Sequence, residues 1–488
     1  MTEKTTYYVT TSIPYVNDVP HIGHAMEFIQ ADALARYHRQ LLGQDVLYST
    51  GTDEHGGKVL ETAKEKGIAP EKYTEQISTA FKDMLVVLDV ANDKFVRTTD
   101  AAHIKVAQQV WKDLSKYIYK GKYVGMYDQK EESYLTDEEA REIKQKDPDR
   151  YKRLQKLEEE NYFFKLSEFS RKVRDLVDKD QIRVVPKTQK NAVMQLLKEG
   201  LEDISISRPK SKLAWGVPVP GDPNHTMYVW FEALINYISV LGYPDGEDFE
   251  KYWPADVHVL GKDINRFHSA IWPSMLIGLE LPLPKNIYVH GFITLEGKVM
   301  SKSLGNVIAP LEIVDKYGAD ALRYYLLRHI PSYGDGDFGW EKFEAAYNGE
   351  LGNELGNLVQ RIAKMIDKYQ NGLVGDMPDD EHDEGFYHDA MADFRFDKAL
   401  DYTWSMIRGL NQYIEEQKPW VIAKEGDVEH LKEVLAYCAG STLQIAKLIA
   451  PSMPKSSEMI MSIFADGVVS KYEGVLFPRI HNYTEANS

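Results

Sequence analysis

Thr6-Tyr-Tyr-Val-Thr-Thr11 reads as a strand, a loop with Pro14 and Pro20 follows, and apolar residues then recur in helical spacing at Ile22, Met26, Ile29, Ala33 and Tyr37. Gly43 ends that helix, and Val46-Leu-Tyr-Ser49 is the next strand. The same order returns far downstream as Asp256–Leu260, a helical stretch from Asn265 through Leu276, and Asn286–His290. A parallel strand pair joined by a helix crosses over with one hand and must be covered by helices. Two such units, widely separated in one chain, are most simply two halves of one split nucleotide-binding sheet. The fold class expected is therefore α/β, and ligands in such sheets gather beyond the carboxyl ends of the strands.

The intervening residues, 117–225, change texture to charged pieces such as Asp137-Glu-Glu-Ala-Arg-Glu-Ile-Lys144 and Lys152-Arg-Leu-Gln-Lys-Leu-Glu-Glu-Glu160, which read as solvated helical faces of an insertion. After about residue 345 the pattern is almost entirely helical. Phe396, Leu400, Trp404, Ile407, Leu410 and Ile414 fall on one helical face, and Leu435, Cys438, Thr442, Ile445 and Leu448 on another that stops at Pro451. The expected order is 1–116, first half of the sheet domain; 117–225, insertion; 226–296, second half; 297–345, a loop region; and 346–488, a helical bundle.

Composition limits the chemistry. A net charge of -17 repels a polyanion at long range, although phosphate contacts depend on local lysines and arginines rather than on the sum. Cys438 is the one cysteine, so an intrachain disulfide and a cysteine-rich zinc knuckle are excluded. The opening residues lack a basic and apolar leader, and no apolar run reaches bilayer length, so a cytoplasmic location without membrane contact is expected.

Two short stretches stand out. His21 and His24 flank Gly23 where the first helix opens, and three residues apart on a helix they would share a face. A metal pair is one reading, but it finds no third ligand nearby, and a packed and an exposed histidine is another. The third reading is a phosphate grip, since a helix start after a strand favours anions and Gly23 puts no side chain in a ligand's way. The second stretch, Gly297-Lys-Val-Met-Ser-Lys-Ser-Leu-Gly-Asn306, follows the last strand of the other unit; alone, it is an ordinary surface loop.

Together, Pro20-His-Ile-Gly-His-Ala25 and Val299-Met-Ser-Lys-Ser303 resemble the two signature motifs of class I aminoacyl-tRNA synthetases. Ser12-Ile-Pro-Tyr15, Gly51-Thr-Asp-Glu-His-Gly56, Asp203-Ile-Ser-Ile-Ser-Arg208, Tyr228-Val-Trp-Phe-Glu-Ala233, Gly261-Lys-Asp-Ile264, Arg266-Phe-His268 and Lys418-Pro-Trp420 narrow the resemblance to the methionyl-tRNA synthetase family, over nearly the whole chain.

The resemblance implies a Rossmann-like catalytic domain split by an insertion, then an α-helical anticodon-binding bundle. It implies activation of L-methionine by ATP, with Mg2+ accompanying the nucleotide, and transfer to the 3′-terminal adenosine of tRNA(Met), the initiator included. His21, His24, Lys302 and Arg208 are then the catalytic candidates. ATP would meet His21, Gly23, His24, Asp263 and Lys302. Asp53 would hold the methionine ammonium, and Ile13, Tyr15, Trp230, Ala233, Leu234, Tyr237, Phe267 and His268 would line the side-chain pocket, where aromatic edges favour a thioether. Asn357, Arg361 and Trp420 would read the anticodon.

Two departures from the family pattern matter. Val299 stands where the second motif has its first lysine, with Lys298 displaced by one place, so phosphate contact rests on Lys302. Gly125-Met-Tyr-Asp-Gln-Lys-Glu-Glu-Ser-Tyr134 stands where many members carry zinc knuckles, so no structural zinc is expected. Cysteinyl synthetases need a cysteine-built zinc site, and leucyl, isoleucyl and valyl enzymes a longer editing insertion. A small-molecule adenylyltransferase would not need the helical bundle, and a tRNA-binding paralogue without catalysis would not need His21, His24, Asp53 and Lys302 together. With no tRNA-binding domain after the bundle, a monomer is expected.

Overall fold

The computed structural model describes residues 5–128, 133–135, 137–300, 307–377, 383–464, 467–469 and 474–480. The chain divides into two compact units. One comprises Met1–Pro20, Asp45–Val86 and Ala91–Val289, the other His21–Gln44, Val87–Val90 and His290–Ser488.

The first unit is built on a six-stranded sheet. Its strands are β1 (Thr6–Thr11), β2 (Asp45–Thr52), β3 (Lys94–Arg97), β4 (Arg183–Val185), β5 (Val257–Gly261) and β6 (Asn286–His290), in the spatial order β3-β2-β1-β5-β6-β4. The pairings β1–β2, β1–β5, β2–β3 and β4–β6 are parallel. Val9 lies beside both Tyr48 and Val257, so the two halves read from sequence do join at β1. β1 and β5 are buried almost throughout, as strands covered on both faces must be. The edge strand β4 comes from within residues 117–225 and forms part of this sheet.

The rest of that segment differs from expectation in one place. Asp137–Lys146 is helical, as its pattern suggests, but Gln155–Phe164 is a strand rather than a charged helix. It pairs antiparallel with Ile118–Asp128, setting Glu160 opposite Lys122 and Glu158 opposite Val124. The period of two is present but hidden, because the buried positions include Glu159 and Asn161 instead of apolar residues. Glu159 is tolerated there because Arg208 meets it at 3.1 Å.

The second unit opens with α1 (Ile22–Arg36), and the helices used below continue in chain order. They are α2 (Ala101–Asp113) and α3 (Val229–Ala233) in the first unit, then α4 (Ala319–Arg328), α5 (Asn357–Gln370), α6 (Phe396–Gln417), α7 (Pro419–Glu425) and α8 (Val428–Ile449) in the second. Both stripes read from sequence are the buried faces of α6 and α8. Lys418, with a left-handed backbone at φ 50°, ends α6, and Pro419 starts α7 where its missing N–H is not needed.

A fully buried arginine joins three parts of this unit. Arg323 of α4 donates to the carbonyls of Ser452 (2.8 Å), Pro451 (2.9 Å) and Leu88 (3.3 Å), and pairs with Asp32 of α1 at 2.6 Å. Asp32 also takes Nε of Arg36 at 2.8 Å. A buried charge survives only when paired and hydrogen-bonded, and Arg323 has both.

Candidate active site

His21 is not on the helical face shared with His24; it is the N-cap of α1, with extended backbone at φ −139°. Its Nδ1 accepts the Gly23 N–H at 3.1 Å, and Nδ1 of His24 accepts the His21 N–H at 3.2 Å. A backbone N–H can only donate, so both Nδ1 atoms are bare and each neutral ring carries its hydrogen on Nε2. The ring centroids are 3.9 Å apart at the positive end of a helix with no acid in its first turn. Burial, then His21 and His290, hold the His24 pKa well below the ordinary histidine value. His24 is therefore uncharged, and the hydrogen it carries on Nε2 makes that nitrogen a donor. Gly23 has a local reason besides ligand clearance: a Cβ there would lie 2.9 Å from Cε1 of the capping His21 ring.

Sequence reading passed over the neighbouring pair. His290, at the carboxyl end of β6, donates through Nδ1 to the Gly291 carbonyl (2.8 Å) and meets Glu27 of α1 through Nε2 at 2.9 Å. Only the position of His290 at a strand end could have marked it.

In the first unit the chain beyond β1 runs beside the end of β2. The Asp53 N–H donates to the Pro14 carbonyl (2.9 Å) and the Val16 N–H to the Asp53 carbonyl (3.0 Å), which fixes Tyr15 alongside Asp53. The Asp53 side is buried, while Ile13 and Tyr15 are half-buried. Trp230 of α3 and Phe267 stack face to face, centroids 4.0 Å apart and planes 10° off parallel. Ala233 and Leu234 are buried at the end of α3.

Phe267 and His268 open a turn wider than α-helical, in which the Trp272 N–H reaches back to the Phe267 carbonyl. His268 donates through Nδ1 to the Ile264 carbonyl (3.0 Å), so its Nε2 accepts the Tyr237 hydroxyl at 2.6 Å. Burial outweighs that carbonyl bond and brings the His268 pKa down to about 4. Behind the Tyr237 ring, at 4.2 Å, lies His258, unmarked by sequence reading; it bonds Thr10 Oγ1 (2.7 Å) and accepts from the Trp272 indole (3.2 Å). Burial, then His268, holds His258 far below its ordinary pKa.

The remaining expected residues are spread more widely. Arg208 sits on the strand Ser207–Pro209, paired with Glu159 and with its guanidinium 4.5 Å from the Tyr127 ring centroid. Asp263 is exposed on the turn after β5. Lys302 lies outside the described residues, while Lys298-Val299 forms a two-residue strand paired with Thr294-Leu295. Asn357 is exposed at the start of α5, and Arg361, one turn on, meets Glu415 of α6 at 2.6 Å. Trp420 is half-buried in the first turn of α7, which packs against α5. Cys438 is buried in α8, its thiol pushed up to about 12 by burial. Among the described residues, no group of three or more His, Cys, Asp or Glu could hold a metal, and no helix is long and apolar enough to cross a membrane.

A parallel sheet with an insertion, a histidine-capped helix and a helical bundle make up the plan of one synthetase class, and comparison with known proteins agrees. Residues 7–153 and 140–363 match the family described as tRNA synthetases class I (M), and the chain belongs to that family. The curated relatives narrow it further. A methionine–tRNA ligase of Thermotoga maritima is 41% identical over 93% of this chain and 74% of its own length. One of Brucella suis is also 41% identical, over 94% of this chain and 92% of its own. Among solved structures, Mycobacterium tuberculosis methionyl-tRNA synthetase in complex with methionyl-adenylate is 35% identical, with a TM-score of 0.90 over 97% of this chain and 100% of that one. Within its class, the chain belongs with the methionine–tRNA ligases.

Proposed function

We infer that this chain joins methionine to tRNA(Met) in two steps. The methionine carboxylate attacks the α-phosphorus of ATP, a carboxyl–phosphorus bond forms, and pyrophosphate leaves with the broken α–β bridge. A hydroxyl of the 3′-terminal adenosine of tRNA then attacks the activated carbonyl and AMP departs. Neither step needs an enzyme nucleophile, so the protein works by positioning and by stabilising charge.

The reading rests above all on likeness, over almost the whole chain, to a synthetase solved with methionyl-adenylate. The residues divide the work as follows. The buried Asp53 carboxylate takes the ammonium, and the Trp230–Phe267 stack with Tyr15, Ile13, Ala233, Leu234, Tyr237 and His268 takes the thioether. His21 and His24 donate Nε2–H groups to the phosphates, with Gly23 giving room for the cap. Lys302 clamps the departing pyrophosphate and Asp263 binds nucleotide hydroxyls. Arg208, paired with Glu159, is a further catalytic helper. Mg2+ arrives with ATP as part of the substrate. Asn357, Arg361 and Trp420 take the anticodon. The protein works as a monomer, and its location is the cytoplasm, where its tRNA is used.

ATP–pyrophosphate exchange is the deciding assay. Exchange should require methionine and proceed without tRNA; exchange supported equally by leucine or cysteine would overturn the reading.

A further inference from the structure

Glu232, on α3, is fully buried, and its carboxylate joins two histidines. His55 approaches Oε1 through Nδ1 at 2.8 Å, and His103 of α2 approaches Oε2 through Nε2 at 2.8 Å. The other nitrogen of His103 is 2.8 Å from Ser239 Oγ. Burial alone would raise the Glu232 pKa, but the two histidines outweigh it and hold the carboxyl below its ordinary value, so it accepts from both.

These partners sit next to the pieces of the methionine pocket. His55 is two residues beyond Asp53, Glu232 lies between Trp230 and Ala233, and Ser239 is two residues beyond Tyr237. The intervening Glu54 is clamped separately, by Arg97 at 2.7 and 3.0 Å and by the Trp215 indole on its carbonyl at 2.6 Å. The loop bearing Asp53 and the helix bearing the aromatic stack are therefore tied through one buried carboxylate with its hydrogen bonds satisfied on both oxygens.

We propose that Glu232 is a positioning residue which, through His55 and His103, sets the spacing between the Asp53 carboxylate and the Trp230–Phe267 stack, and so sets the side-chain length the enzyme accepts. The proposal rests on the assignment of those groups to the methionine ammonium and thioether. An apolar pocket tells one methylene from none by about 10- to 200-fold, and only while both ends of the substrate are held at fixed separation. Loosening the tie should therefore erode discrimination before it erodes chemistry.

The test compares methionine with ethionine, one carbon longer, in ATP–pyrophosphate exchange by the full-length enzyme. Glu232→Gln keeps the shape but faces one histidine N–H with an amide NH2. It should raise the methionine KM by roughly tenfold, leave kcat within about threefold, and narrow the methionine-to-ethionine ratio of kcat/KM by about tenfold, part of the range above. His55→Gln acts on the Asp53 side alone and should move the same quantities the same way, so it carries the test where Glu232→Gln melts below the assay temperature. In the double variant the two amides can bond each other, and part of the ratio should return. An unchanged ratio, or an equal loss for both amino acids, overturns the proposal while the assignment of the pocket stands. A wild-type enzyme whose exchange does not depend on methionine overturns the assignment and the proposal with it.

Discussion

At the scale of single residues, the histidine pair is a cap before it is a grip. Each imidazole accepts a backbone N–H on Nδ1, and that leaves its hydrogen on Nε2 as a donor of known polarity. Gly23 is the residue on which this depends, because any side chain meets the His21 ring. Gly23→Ala should displace that ring by a fraction of an ångström to an ångström and slow adenylate formation by roughly 10- to 100-fold, the size expected for a misplaced catalytic donor. Stability should change little, about 1 kcal/mol for a weakened cap. Pre-steady-state adenylate formation and a thermal melt measure the two separately; a melt-limited loss would mean that the glycine serves the helix alone. Chain order showed which end of the helix the two histidines occupy. It could not show that they cap it, since the cap is a property of dihedral angles and ring orientation.

At the scale of elements, the apolar stripes of α6 and α8 were legible because their buried faces are hydrocarbon, and so were β1, β5 and β6. Gln155–Phe164 was not, because its inward positions carry Glu159 and Asn161, and a polar inner face leaves no alternation of hydropathy to read. The wider turn at Phe267 was equally hidden, as one extra residue in a helical turn hardly disturbs a periodic pattern. The Arg323–Asp32 pair was hidden for a third reason: its members are nearly 300 positions apart in sequence and only packing joins them. That pair makes a sharp test of how α1 is held. Asp32→Ala leaves a fully buried guanidinium without its counter-charge and should cost about 3–5 kcal/mol in urea denaturation. Asp32→Asn, which still accepts a hydrogen bond, should cost less. In α7, Trp420→Ala removes a surface on which an unpaired base can stack, worth about 1–3 kcal/mol, roughly a 5- to 150-fold fall in tRNA charging. Methionine-dependent exchange should be untouched; equal loss in both assays would make Trp420 a packing residue.

At the scale of the molecule, acid stability draws on imidazoles that the fold holds neutral. His24, His258 and His268 all have pKa values pressed down, first by burial, with His268 at about 4 against an ordinary 6.5. The folded protein therefore keeps these rings neutral where the unfolded chain would protonate them. Below pH 6.5 the unfolded state binds more protons, so stability falls as pH falls. For His268 the loss runs from pH 6.5 down to about 4 and amounts to about 1.4 kcal/mol for each pH unit crossed. Glu232, whose pKa lies below its ordinary 4.5, adds a loss in the same direction at still lower pH, as its carboxylate protonates and releases two histidines. Asp320 runs the other way: burial raises its pKa above 3.8, so its burial cost is relieved in acid. With three imidazoles held neutral against one raised carboxyl, the thermal midpoint should drop from pH 7 to pH 5. His268→Gln offers the control, because its side-chain carbonyl can still accept the Tyr237 hydroxyl but cannot take up a proton. The variant should melt with a shallower dependence on pH over this interval, whatever its stability at pH 7. A midpoint flat between pH 7 and 5 in the wild type, or a slope unaltered in the variant, would show that the buried imidazoles are not what acid attacks first.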